Sequence, residues 1–481
     1  MPTEWTRDEI RRVGRLVVDL IADHVTTLPE EPAFRPFPSN LAERMQAAPP
    51  PVEGIAPDEI LRTFAETIEP YPFGNGHPRF WGWVNSPPAV MGIFADALAA
   101  AMNPSCAGGN HAAIHVERQA LHWFRDLLGF PTASMGLLVS GGSMATLTAL
   151  AVARDVNSGV EVRRDGLQST PQPFAFYLTS EGHSCARKAV ELLEFGNASI
   201  RTIPVSGGFT MDVAALDAAI ARDRDAGVRP IAVIATAGTT NTGAIDDLGA
   251  IADVCRRRGV WLHVDAAYGG PAILTDEYRD RIAAVALADS VALDPHKWLF
   301  VPVEAGLVLV KNGEAMRSAF SLVPPYIRSE GSAGEVYGLP WFSEYGFQQT
   351  RSFRALKVWM VMQQFGMAGY KAALEENIAL AAYLAERVAG DPAFELMAPR
   401  GLSVVCFRYV NPTLDGEAQV VAANRAILER LQLGGEAFIT STELAGRFVL
   451  RACIVNYRST RADVDRMLAA VQAIGAAVVA A

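Results

Sequence analysis

The chain has 481 residues, 50% of them apolar and 20% charged, enough to bury a large core, which excludes intrinsic disorder and a single small module. Its net charge of −10, from 42 basic and 52 acidic residues, repels phosphate backbones and anionic lipid, so the expected partners are small molecules, not nucleic acid or membrane. The longest apolar runs, 87–95 and 471–481, fall far short of the roughly 20 residues that span a bilayer, and no basic-then-apolar leader opens the chain. Five scattered cysteines without a C-x-x-C pair fit neither a disulfide framework nor a zinc knuckle, so a cytoplasmic protein without a metal site is expected.

The first element is a helix that announces its own start. Thr6 and Glu9 form a T-x-x-E capping box, flanked by Trp5 and Ile10 in the positions of a hydrophobic staple. Ile10, Val13, Val17, Leu20 and His24 then recur at helical spacing and give one apolar stripe, which must dock on something. Prolines at 29, 32, 36, 38 and 49–51 forbid a continued helix and favour an extended arm. Residues 1–88 therefore read as an arm for contacts within a homodimer.

Between 89 and 363 the hydrophobic period switches repeatedly between strand and helix. Short apolar strands are predicted at 136–139, 174–179, 231–236, 261–265, 290–293 and 306–310, separated mostly by helices, the signature of βαβ units around a mainly parallel sheet. From 364 to 481 the pattern is a long helix, strands near 402–409, 437–440 and 448–455, and a closing helix from Ala462, which reads as a smaller α+β domain.

Ligands of open α/β sheets collect at the carboxyl ends of strands, so the residues that follow each strand matter most. The first strand is followed by Ser140-Gly141-Gly142-Ser143 and a helix. Such a turn suits an anion at a helix N-terminus, but glycines also serve a tight turn for purely steric reasons. It matches neither nucleotide fingerprint, G-x-x-x-x-G-K-[ST] or G-x-G-x-x-G, which also counts against a nicotinamide dehydrogenase. Asp265 ends the strand 261–265, and a carboxylate there needs a cation. Only five of the 42 basic residues are lysines, at 188, 297, 311, 357 and 371. Lys297, in Asp294-Pro295-His296-Lys297-Trp298, sits among apolar neighbours, a setting that depresses an amine's pKa and makes it nucleophilic. A lysine for imine chemistry, an aspartate for a pyridinium nitrogen and a glycine-rich helix start for a phosphate are together what pyridoxal 5′-phosphate requires.

The runs His263-Val264-Asp265-Ala266-Ala267-Tyr268, Asp294-Pro295-His296-Lys297-Trp298, Gly76-His77-Pro78-Arg79-Phe80 and Phe448-Val449-Leu450-Arg451 resemble the group II pyridoxal-phosphate-dependent amino-acid decarboxylases, with aromatic-L-amino-acid decarboxylase as the nearest branch. The resemblance covers nearly the whole chain. It implies an aspartate-aminotransferase-type (fold type I) α/β fold with a large cofactor domain and a smaller C-terminal α+β domain, and a homodimer with active sites at the interface. It also implies decarboxylation of an L-amino acid, expected to be aromatic, to its amine and CO2. By motif position Lys297 resembles the Schiff-base lysine, Asp265 the pyridinium partner, and His183 the imidazole stacked on the cofactor ring. Gly142, Ser143 and His296 resemble phosphate contacts, Thr240 a threonine near the cofactor, and Ser86 takes the place of a usual threonine. Asp294 stands where the family commonly has asparagine. Tyr326, in the long aperiodic segment 321–346, occupies the position of a loop tyrosine implied to return a proton to the substrate α-carbon.

Other polar residues have blander readings. His111 and His115 are four apart but lack the intervening glutamate of a zinc protease, and His24, His77, His122 and His263 read as structural. Arg351 and Lys357 are candidate anion contacts, Trp81 and Trp83 a candidate aromatic wall, and Ser105 and Ala107 suggest a wider or more polar pocket. Rival activities on this framework are an aminotransferase, where Arg451 is the position to watch as a carboxylate clamp, and decarboxylation-coupled oxidative deamination to an aldehyde.

Overall fold

The computed structural model describes residues 4–323, 338 and 340–480. The chain separates into a larger unit, Pro88–Ala382 with Ala398–Val405, and a smaller one, Met1–Pro87 with Tyr383–Met397 and Cys406–Ala481.

The larger unit is built on seven strands: β1 (Met135–Val139), β2 (Phe174–Thr179), β3 (Ile200–Ile203), β4 (Arg229–Thr236), β5 (Trp261–Asp265), β6 (Ser290–Leu293) and β7 (Gly306–Val310), in the spatial order β1-β7-β6-β5-β4-β2-β3. All neighbouring pairs are parallel except those of β7, which runs antiparallel to both β1 and β6. β6 and β7 are buried at every position, and β1, β2 and β4 at every position after the first, as expected of a sheet covered on both faces. The register aligns Thr236 with Asp265, Asp265 with Ala292, Val139 with Gly306, and Leu293 with Leu307. The carboxyl ends of β1, β4, β5 and β6 and the start of β7 therefore lie along one sheet edge. Of the predicted strands, four have the expected bounds, and the other two each gain one or two residues at the start. β3 escaped prediction because its four residues, Ile-Arg-Thr-Ile, are half polar and sit at the sheet margin.

The smaller unit holds most of a four-stranded sheet, β8 (Phe394–Leu396), β9 (Val404–Tyr409), β10 (Thr440–Leu444) and β11 (Arg447–Cys453), in the order β10-β11-β9-β8. The strand expected at 437–440 begins where that prediction ends, and the long helix starts at Arg354, with its helical geometry broken at Gly366 (φ 60°). The opening helix, Arg7–Thr27, carries both bonds of the predicted box: Glu9 N–H donates to Thr6 Oγ1 at 3.3 Å, and Thr6 N–H to Glu9 Oε2 at 2.7 Å. None of its residues is buried. Trp81 is fully buried and donates from Nε1 to Ser459 Oγ at 2.9 Å, so it is a core residue and not part of a substrate wall. Trp83 is 43% exposed and stacks on Phe73. Arg451 donates from Nη1 to Trp83 O at 2.8 Å.

Among the described residues no helix is long and apolar enough to cross a membrane. All five cysteines are free and buried.

Candidate active site

The helix Gly142–Asn157 begins directly after β1 at the carboxyl edge of the sheet, and no side chain caps it. Its first N–H groups have no acceptor within the helix, which leaves donors and the positive dipole end free for an anion. The turn is also sterically closed to larger residues. A Cβ on Gly306 would strike the Gly141 backbone at 2.4 Å, and one on Gly142 would reach within 3.0 Å of Asp294 Oδ2 and 3.3 Å of Ala267 Cβ. The steric reading of these glycines holds, and it leaves the helix start open to an anion.

The loop after β6 supplies the charged centre. Lys297 Nζ lies 2.9 Å from Asp294 Oδ2, and the Lys297 side chain keeps 23% of its surface while that of Asp294 keeps 3%. Burial by itself would push the Lys297 ammonium down. The carboxylates of Asp294 and Asp265 outweigh it and hold the group above the ordinary lysine range, so the depressed amine expected from apolar neighbours is corrected. The sequence neighbours of Lys297 are apolar, but its spatial neighbours are two carboxylates. Among the described residues, Asp294 Oδ1 is buried and has no hydrogen-bond partner.

His296 turns its Nδ1 to the Ala305 backbone, 2.8 Å from the carbonyl oxygen, and its Nε2 stands 3.9 Å from Asp294 Oδ2. Its Cε1 would be 3.5 Å from a Cβ on Gly141, which sets the ring beside the glycine turn. Asp265 Oδ1 accepts from Ala267 N–H at 3.1 Å. His183, exposed at the end of the loop after β2, caps the helix Ser184–Leu192 by accepting at Nδ1 from Cys185 N–H at 3.3 Å. Asn241 donates to Glu181 at 3.1 Å and ties that loop to the one after β4, which carries Thr240. Ser143 is exposed on the first turn of its helix. Lys297, Asp265, Gly142, Ser143, His183, His296 and Thr240 thus all follow strand ends of one sheet. Ser86 belongs to the smaller unit, where its carbonyl accepts weakly from Asn75. Tyr326 lies outside the described residues.

A layer of buried polar groups behind this edge was not recognised as part of the site. Trp261 Nε1 donates to Ser290 Oγ at 2.8 Å, Ser290 Oγ meets His263 Nδ1 at 2.9 Å, and His263 Nε2 meets Thr146 Oγ1 at 3.3 Å. Cys185 Sγ stands 3.9 Å from the same Thr146 oxygen. Burial holds His263 neutral, with its pKa lowered to about 4, and burial together with Asp265 pushes the Cys185 thiol up to about 11. The Trp261 N–H can only donate and Ser290 has one proton. When Ser290 O–H donates to Nδ1, the neutral His263 carries its proton at Nε2 and donates to Thr146 Oγ1, so the chain is satisfied in one direction. Serine and histidine inside otherwise apolar strands were the available signal.

Two candidate anion contacts prove to be structural. Arg351 pairs with Glu117 through both guanidinium arms, and donates to Cys106 O at 2.8 Å and Leu138 O at 2.6 Å. Lys357 pairs with Asp96 at 3.1 Å.

The residues present fit pyridoxal phosphate. An uncapped glycine-lined helix start suits its phosphate, an amine stands at the same edge, and a strand-end carboxylate is available to a ring nitrogen. Asp294, whose Oδ2 meets that amine, stands beside the same helix start.

The pyridoxal-dependent decarboxylase conserved domain matches residues 40–410. An aromatic-L-amino-acid decarboxylase of Bacillus atrophaeus is 33% identical over 98% of this chain and 96% of its own. A phenylacetaldehyde synthase of Arabidopsis thaliana is 29% identical over 93% of this chain and 92% of its own. The crystal structure of an Oryza sativa TDC with PLP and tryptamine superposes with a TM-score of 0.91 at 29% identity, covering 99% of both chains.

Proposed function

The chain belongs to the pyridoxal-dependent decarboxylase family, with the fold type I arrangement, and from that premise we propose that it removes the α-carboxylate of an aromatic L-amino acid as CO2 and releases the amine. The observation that carries this reading is Lys297, held between Asp294 and Asp265 at the strand ends beside an uncapped helix start. The aromatic substrate rests on the relatives named above.

The cofactor, when bound, supplies an electron sink for the pair released at the substrate α-carbon. Lys297 would provide the amine that anchors it, Asp265 would keep a proton at its ring nitrogen, and His183 would lie against the ring. Gly142, Ser143 and His296 would hold the phosphate, with Thr240 and Ser86 as further cofactor contacts. Tyr326 would return a proton to the α-carbon. Arg351 and Lys357 are already committed to Glu117 and Asp96, so neither can clamp a substrate carboxylate. This supports decarboxylation over transamination, because a carboxylate that must leave is best left poorly solvated.

The proposed assembly is a homodimer. Residues 1–88 join the subunits, 89–363 carry the cofactor and 364–481 form the small C-terminal part. Its support is the opening helix, where Ile10 and Val17 are 57% and 38% exposed on the apolar stripe. The free cysteines favour the reducing cytoplasm.

The test is incubation of the purified protein with a panel of amino acids, following CO2 and amine together. Equal yields from an aromatic substrate are expected, and a keto acid without CO2 would overturn the reading. A second reading, aldehyde formation with ammonia and peroxide from dioxygen, is favoured by the phenylacetaldehyde synthase among the relatives. Stoichiometric peroxide from the wild-type protein would establish it. Tyr326→Phe should lower amine yield and divert the residual turnover to aldehyde.

A further inference from the structure

We propose that Asp294 is the internal base of Lys297: the proton that must leave the amine before it can attack a carbonyl passes to Asp294 Oδ2 and stays in the site. This rests on the reading of Lys297 as the reacting amine. Three observations carry it. The acceptor oxygen is already 2.9 Å from Nζ, a hydrogen bond along which the proton can move. Asp294 is 2% exposed and, among the described residues, its other oxygen is buried without a hydrogen-bond partner, so the hydrogen bond its side chain makes is the one to Nζ. A Cβ on Gly142 would stand 3.0 Å from Oδ2, so it is the missing side chain of Gly142 that opens the space between Asp294 and the helix start where an anion would sit.

The step balances within the pair. One N–H bond of the ammonium breaks and its electron pair remains on nitrogen, while an O–H bond forms on Oδ2. The pair is neutral overall before and after, so the site neither takes up nor expels charge. With the acid form in place, no second negative charge faces an anion at the Gly142–Asn157 helix.

The other titratable groups around the amine are Asp265 at the end of β5, Cys185 on the helix after β2, and His296 on the same loop, 3.9 Å from Asp294 Oδ2. Cys185 is held as a thiol by burial and by Asp265. Asp265 raises the ammonium as Asp294 does, but the hydrogen bond to Nζ belongs to Asp294.

The test follows reactivity at Lys297 against pH in the cofactor-free, full-length protein with two probes. The first is pyridoxal phosphate, followed by visible absorbance. The second is formaldehyde with cyanoborohydride, followed by mass spectrometry at each of the five lysines, which needs a neutral amine but no cofactor site. Transfer inside the pair does not depend on bulk pH. Wild-type Lys297 should therefore react at a nearly constant rate below its pKa, while Lys188 gains about tenfold per pH unit. Asp294→Asn, nearly isosteric, should restore the tenfold dependence at Lys297. A wild-type Lys297 that climbs like Lys188 with both probes overturns the proposal, as does an Asn variant with an unchanged flat profile. Flat methylation without capture of pyridoxal phosphate would instead uphold the proton transfer and overturn the cofactor reading.

Discussion

Arg351 meets Glu117 in one part of the larger unit, and Lys297 meets Asp294 in another. Both pairs are nearly or fully buried on the acidic side, yet they are completed differently. Glu117 receives both arms of the Arg351 fork and the Leu138 N–H, and the remaining arginine donors reach two backbone carbonyls while the guanidinium lies over the Phe342 ring. Among the described residues, Asp294 has one oxygen on Lys297 and no hydrogen bond to the other. A planar five-donor cation can satisfy a buried carboxylate and its surroundings at once, whereas an ammonium on a flexible stem leaves valences over. The first pair fastens a helix, a strand and a loop together. The second holds unspent hydrogen-bonding capacity and a transferable proton, which is what a reacting site needs.

The largest test of this contrast is Lys297→Ala. It should abolish turnover and the yellow colour of the holoprotein while leaving a cooperative unfolding transition, read by absorbance and denaturant titration. An unchanged visible spectrum would sink the assignment of the amine.

Arg351→Met should do the reverse. Glu117 would be left as an uncompensated buried charge, costing roughly 3–5 kcal/mol in the urea midpoint, while protein that remains folded keeps its colour. A loss under about 1 kcal/mol would mean that this pair is as unfinished as the other.

Acid sharpens the comparison from behind the site. His263 has a pKa of about 4 in the fold against an ordinary 6.5, because burial penalises its charged form. Its contribution is intact above pH 6.5. It is lost as pH falls toward 4, because the unfolded chain takes up a proton that the folded chain refuses. The loss is about 3 kcal/mol over that window. His77, buried in the smaller unit beside Arg79, shares the depressed value of about 4, so His263→Gln should flatten only part of the slope of stability against pH.

The smallest effect is expected from Ser290→Ala. It removes the acceptor of the Trp261 N–H and the partner of His263 Nδ1, at a cost of about 1–3 kcal/mol. A colour change without a stability change would show that the layer tunes the site and does not merely support it.

The sequence by itself determined the strand ladder, the glycine turn after β1, and the placement of Asp265 and Lys297 after strand ends, because those features depend on local period and on which residues a tight turn permits. It also revealed the helix start at Thr6, where both partners of the cap lie within one turn. Only the tertiary structure decided the electrostatics. Lys297 has apolar neighbours in the chain, and its charge state is set by Asp294, three residues earlier in the loop after β6, and by Asp265 on the adjacent strand. Arg351 looked free for an anion until Glu117, 234 positions earlier, was brought against it. Trp81 looked like a pocket wall until Ser459 closed over its indole nitrogen. Local pattern fixes where a side chain stands along the chain, but the partners that set its charge or close over it come from as near as Asp294 to Lys297 and as far as Ser459 to Trp81, and only the fold selects them.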